Sequence, residues 1–256
     1  MRLEAVIFDM DGVVTRTATL HIRAWKRLFD EYLDLRRSRG EIHEPFDQRR
    51  EYLAYVDGKP RYDGIQSFLG SRNIHIPFGD REDGPDEETA CGLGNRKDQY
   101  FEELLNAEGV GVFESTMERI AELRALGART ALGTSSRHGG RIVRMTGIDH
   151  QFDVIADGNT IRERSLKGKP SPDLFLEAAR DLGIAPELTA VVEDAVAGVE
   201  AGVRGGFGRV IGIDRGDNRE ALEQGGADIV VDDLAELSAE DLLMPRNGQG
   251  HQGEMG

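Results

Sequence analysis

The chain has 256 residues, 39% hydrophobic and 31% charged, which excludes a disordered polymer and suits one large domain or a core with a smaller insert. A formal charge of −15 with no basic stripe argues against a nucleic-acid or anionic-membrane partner, and the single cysteine, Cys91, excludes an intrachain disulfide and a cysteine-built zinc site. No run approaches the ~20 apolar residues of a membrane span, and Asp9 and Asp11 interrupt the apolar run near the N-terminus, so neither a membrane nor a signal peptide is expected and the cytoplasm is the expected compartment.

The first predicted element is a strand over 3–8, and it runs straight into Asp9-Met10-Asp11-Gly12-Val13. Side chains alternate along a strand, so Asp9 and Asp11 can leave its end on the same side. Two anions so close repel unless a cation or a shared proton intervenes. That need points to a Mg²⁺-assisted site in which one carboxylate attacks and the other moves protons. The alternative for the motif alone is an acidic turn, because Asp-Gly is a common turn pair.

The next stretch has helix patterns and no comparable strand. Residues 21–35 place Ile22, Trp25, Leu28, Phe29, Tyr32 and Leu33 mostly on one side, and shorter helices are expected over 49–55, 64–69 and 97–105. Residues 81–94, rich in acid, Gly and Pro, read as a loop. From about residue 110 strands and helices alternate. Strands are expected over 129–132, 152–155, 190–192, 209–213 and 228–231, with helices over 116–126 and 172–182. Ser171 suits the N-cap of the latter helix, Pro172 its first turn and Gly183 its stop. The pattern predicts an α/β fold: a Rossmann-like parallel-sheet core with helices on both faces, and a helical cap inserted after the first strand. The expected division is 1–16 and 108–244 for the core, 17–107 for the cap and 245–256 for a frayed tail.

Ligands of open parallel sheets bind beyond the C-terminal ends of the strands, so the residues there carry the chemistry. After the first strand come Asp9 and Asp11, after the second Thr134, Ser135 and Ser136, and after the strand at 190 come Glu193 and Asp194. Lys169 lies just before a helix. Together they form a phosphoryl-transfer set. Asp9 is the candidate nucleophile and metal ligand, and Asp11 the acid/base and a further ligand. Thr134 and nearby N–H groups suit the phosphoryl oxygens, Lys169 neutralises charge, and Glu193 and Asp194 complete an oxygen shell for Mg²⁺. Singly, Thr134-Ser135-Ser136 also suits a helix start, Lys169 a solvated loop, and Glu193-Asp194 a helix cap.

These motifs resemble those of the haloacid dehalogenase-like superfamily over nearly the whole chain, and further residues resemble its β-phosphoglucomutase-like branch. On that resemblance Thr17 matches a hinge threonine, and His21 and Trp25 a segment that helps gate the acid/base aspartate. Arg61 matches a cap arginine that grips the distal phosphate, and Lys97 a cap lysine near the sugar. Ser135, Ser136 and Arg137 fall around the phosphate, and His138 replaces a family asparagine. The resemblance implies Mg²⁺, an aspartyl-phosphate on Asp9, and interconversion of β-glucose 1-phosphate and glucose 6-phosphate, with glucose 1,6-bisphosphate as activator and intermediate. A sugar-phosphate phosphatase is the alternative. The implied partner is a small phosphorylated sugar, and the oligomeric state is left open. The chain departs from the family pattern in a longer cap at 36–45 and 73–94, while 58–64 resembles relatives associated with disaccharide phosphorylases.

Overall fold

The computed structural model describes residues 2–246. Six strands, β1 (Ala5–Phe8), β2 (Arg129–Gly133), β3 (Val154–Ala156), β4 (Thr189–Glu193), β5 (Arg209–Ile213) and β6 (Ile229–Val231), form one parallel sheet in the order β3-β2-β1-β4-β5-β6. β1 lies inside the sheet and is buried along its whole length, which explains its uninterrupted Ala-Val-Ile-Phe sequence. Alternation then sorts its side chains. Val6 and Phe8 join Leu132, Val192 and Ile211 on one face, while Ala5 and Ile7 join Ala131, Val191 and Val210 on the other. Each fully buried Val, Leu, Ile or Phe contributes roughly 1.5–3 kcal/mol of transfer free energy.

The helices are α1 (Ala18–Ser38), α2 (Arg50–Tyr55), α3 (Arg61–Ser71), α4 (Ala90–Glu108), α5 (Glu114–Ala125), α6 (Gly139–Met145), α7 (Gly158–Glu163), α8 (Asp173–Leu182), α9 (Val196–Arg204), α10 (Arg219–Gln224) and α11 (Ala239–Leu242). α5 closes one sheet face with Ile120 and Leu123, and α8 closes the other with Leu174, Phe175 and Ala178. α1–α4 fall between β1 and α5 and pack around their own aromatic cluster, in which Phe29 touches both Phe46 and Phe68. The two chain segments joining this layer to the sheet run side by side. Arg16 N–H donates to the Gly111 carbonyl (2.8 Å), and Phe113 N–H donates to that of Val14 (3.0 Å). Among the described residues, no helix is long and apolar enough to cross a membrane.

Three local expectations need correction. Residues 90–94 are the first turns of α4, not loop: the Thr89 hydroxyl caps them by accepting the Gly92 N–H (2.9 Å). Gly94 is there for packing, since a Cβ on it would fall 2.6 Å from the Tyr62 ring. Ser171 does not cap α8. Its N-cap position falls to Pro172, and the Ser171 hydroxyl instead donates to the Asp173 carboxylate (2.6 Å). The expected tail starts two residues too early, because Arg246 N–H donates to the Gly208 carbonyl (2.9 Å) and its side chain pairs with Asp228. Residues 247–256 of that tail lie outside the described residues.

Candidate active site

The sheet register builds the site. Phe8 pairs with Leu132 on one side and Val192 on the other, so the residues after β1 emerge between the ends of β2 and β4. Asp9 N–H still donates to the Val192 carbonyl (2.9 Å), which locks its position. Lys169 Nζ reaches in from the loop before α8 and donates to Asp9 Oδ1 (2.6 Å), Glu193 Oε1 (2.5 Å) and the Gly133 carbonyl (3.2 Å). The ammonium is buried, yet Asp9 and Glu193 hold its pKa above the ordinary lysine value. Burial raises the Asp9 carboxyl well above its ordinary value even against Lys169. Its second oxygen accepts the Asp11 N–H (2.9 Å).

Asp9, Glu193 and Asp194 each offer an oxygen, and the three lie within 4.8 Å of one another. Burial and the neighbouring Asp57 and Glu193 carboxylates push the Asp194 carboxyl well up, and Lys169 pairs with Asp9 and Glu193 but not with Asp194. A hard set of carboxylate oxygens short of positive charge fits Mg²⁺. Asp11 stands outside this trio. Its side chain turns to Thr17, whose hydroxyl donates to Oδ1, and to His21, with Nε2 3.4 Å away. Gly12 allows the turn between them: φ is 90°, and a Cβ would fall 1.8 Å from Asp194 Oδ2.

α1 and α4 supply the facing wall. His21 stacks on Phe101 at 3.9 Å, and Lys97 Nζ lies 2.6 Å from His21 Nδ1. When Lys97 donates there, Nε2 is the nitrogen that carries the His21 proton, and it faces Asp11. Burial, with Arg61 nearby, lowers Lys97 to about 7. Burial and Lys97 also lower His21. For Asp11 burial acts upward, but His21 and Thr17 outweigh it and the carboxyl is lowered. Trp25 lies under the Lys97 ammonium at 5.1 Å, serving the aromatic cluster and the cavity wall at once.

Thr134 Oγ1 lies 3.5 Å from Asp11 Oδ2 and accepts the Ser136 N–H (3.1 Å). Ser135 Oγ donates across the cavity to the Gly58 carbonyl (3.0 Å). Arg61 pairs with Asp98, and its buried Nε has no acceptor among the described residues. Asp98 also accepts from His138 Nε2 (2.9 Å). Burial works to raise Asp98, but His138 and Arg61 together hold it far below the ordinary range. All these side chains, with Arg137, line one cavity of about 550 Å³.

Every candidate catalytic and substrate residue read from the sequence therefore faces this cavity or, like Thr17, bonds a residue that does. Two carboxylates were missed. Asp98 adjoins Lys97 in sequence, but its partners are Arg61 of α3 and His138, the residue just before α6, and no spacing announces them. Asp57 lines the cavity from the facing wall, where burial and Glu193 raise it to about 7. Its signal was a charge inside 57–61, a segment already singled out for Arg61.

A family profile described as a haloacid dehalogenase-like hydrolase matches residues 3–206. A β-phosphoglucomutase of Mycobacterium bovis is 46% identical over 240 residues, 92% of each chain. A phosphorylated carbohydrates phosphatase of Thermotoga maritima is 29% identical, covering 89% of this chain and 94% of that protein. In fold, the chain agrees with a β-phosphoglucomutase structure from Clostridium difficile: TM-score 0.72, 24% identity, 92% of this chain and 93% of that one.

Proposed function

This chain belongs to the haloacid dehalogenase-like hydrolase family and is an enzyme, and from that premise we propose that it is a β-phosphoglucomutase. One observation carries the reading: Asp9 and Asp11 open into the same cavity as Arg61 and Lys97, so a sugar can meet the reacting carboxylates and a distal cation together. Asp9 Oδ attacks phosphorus, the phosphorus–oxygen bond to the sugar breaks, and Asp11 gives its proton to the departing oxygen. Asp11 then takes the proton from the hydroxyl that receives the phosphoryl group back from Asp9. The second of these steps, on β-glucose 1-phosphate, makes glucose 1,6-bisphosphate, which turns round before Asp9 attacks its C1 phosphate and releases glucose 6-phosphate, so Asp9 starts and ends each cycle phosphorylated. Asp9, Glu193 and Asp194 would hold Mg²⁺, which would supply positive charge to the transferring phosphoryl group. Thr134 and Lys169 hold the transferring group and the nucleophile. Thr17 and His21 fix Asp11, while Trp25 and Lys97 lie beside the sugar. Ser135, Ser136, Arg137 and Arg61 hold the phosphate that is not reacting. Residues 17–107 work as a cap on the core of 1–16 and 108–244, closing over the substrate to exclude water.

The test is one reaction read two ways. Purified protein receives Mg²⁺, β-glucose 1-phosphate and trace glucose 1,6-bisphosphate, with Asp9→Asn as blank, while glucose 6-phosphate and free phosphate are followed together. Glucose 6-phosphate outrunning free phosphate is the expected result. Free phosphate alone would turn the assignment to a sugar-phosphate phosphatase, the activity named for the Thermotoga maritima relative.

A further inference from the structure

The connection between α3 and α4, residues 72–89, brings Phe78 and Arg81 to the cavity rim. It is a built segment. Ala90 and Cys91 N–H donate to the carbonyls of Pro77 and Phe78 (2.9 Å each). The Asn95 amide donates to the carbonyls of Arg81 (3.1 Å) and Asp83 (2.9 Å), and the Thr89 hydroxyl donates to Asp83 (2.6 Å). The backbone at 78 and 81 is therefore fixed, and its side chains are presented from a rigid frame.

What it presents is unusual for this molecule. Phe78 leaves 42% of its surface exposed and stands edge-on to Tyr62, centroids 6.0 Å apart. The Tyr62 hydroxyl is itself held by Asn95 (2.9 Å). The Arg81 guanidinium lies 6.0 Å from the Tyr62 ring, and no carboxylate pairs with it among the described residues. Its cap neighbours Arg61 and Arg96 pair with Asp98 and Asp86. On the core side of the same rim, Arg137, Arg162 and Lys167 likewise have no carboxylate partner among the described residues. In a chain of net charge −15, unpaired cations gathered on one cavity rim call for an anion.

We propose that this connection determines substrate specificity. Arg81 takes the non-reacting phosphate of a sugar bisphosphate alongside Arg61, and the Tyr62–Phe78 pair forms the apolar wall for the sugar's C–H face. The assignment rests on the sugar-phosphate reading above. A guanidinium fork suits phosphate oxygens, and Arg81 surrenders no ion pair to bind them.

The experiment uses the full chain carrying Asp9→Asn, with Mg²⁺, so that nothing turns over. Trp25 is the single tryptophan and lines the cavity, so its fluorescence reports binding. Glucose 1,6-bisphosphate and inorganic phosphate are titrated in parallel. Arg81→Ala should weaken the bisphosphate about tenfold and inorganic phosphate less than about twofold, the loss of one charge-assisted contact. Arg81→Lys should recover part of that loss. The Asn95 anchors reach the Arg81 backbone, so truncating the side chain leaves the frame in place. Unchanged bisphosphate affinity in Arg81→Ala, or an equal loss for inorganic phosphate, overturns the proposal alone. A parent protein that binds the bisphosphate no tighter than inorganic phosphate overturns the sugar-phosphate reading, and the proposal with it.

Discussion

The floor and the roof of the cavity are held by different forces. The floor is charge fixed by backbone: Asp9 is tied to β4, and Lys169 sits between two buried carboxylates. The roof is an aromatic cluster carrying a few polar groups, and it meets the floor through single contacts such as Ser135 to Gly58 and His138 to Asp98. Asp9 and Lys169 thus keep their geometry whatever the roof does, whereas Asp11, held by Thr17 and His21, and the roof groups depend on contacts between the two regions.

Substitutions can break or sharpen that division. The largest effect should come from Asp9→Asn: turnover of any phosphoryl donor falls by about 10⁴-fold or more, because the nucleophile is gone. Residual turnover near the parent level would remove the floor from the chemistry. Lys169→Met should lower stability by about 3–5 kcal/mol, since Asp9 and Glu193 are left buried without their cation. Thermal melting should show this, with added Mg²⁺ recovering part of the loss. An unchanged melting temperature would mean that charge does not hold the floor.

On the roof the sign differs. Lys97 is lowered to about 7 from an ordinary 10.5, so between those values the unfolded chain holds a proton that the folded chain lacks. Stability therefore rises with pH across that window, and below it the buried ammonium carries its full penalty. Lys97→Met should be the more stable protein at about pH 6, by on the order of a few kcal/mol, with the advantage shrinking by about pH 9. Urea unfolding at the two pH values checks this, and an advantage that grew with pH would refute it. The smallest effect is Ser135→Ala. Losing one bond between floor and roof is worth about 1 kcal/mol and should raise the sugar-phosphate KM a few-fold, leaving kcat nearly unchanged.

The floor was legible in the sequence because a parallel sheet writes its site in one place. Each strand is a short apolar run, and the residues just after it must lie along a common edge, so Asp9, Thr134 and Glu193 could be brought together before any coordinates. The roof was less legible. A helical wall draws its groups from different helices, and Asp98 acquires meaning only where α3, α4 and the residue just before α6 converge. Glycine was the other source of error. Within 90–94 it read as a breaker, yet Gly94 is small because Tyr62 occupies the adjoining space. Arg61 and Lys97 were found through family resemblance, not through periodicity.

The two segments joining floor and roof are hydrogen-bonded to each other through Arg16 and Gly111, and through Phe113 and Val14. The helical layer thus leaves and rejoins the sheet at a single seam. A seam of that kind makes the roof a replaceable part. Another helical module can be grafted at the same two ends without moving a strand, and the sheet would keep its reagents while the graft brought a different appetite.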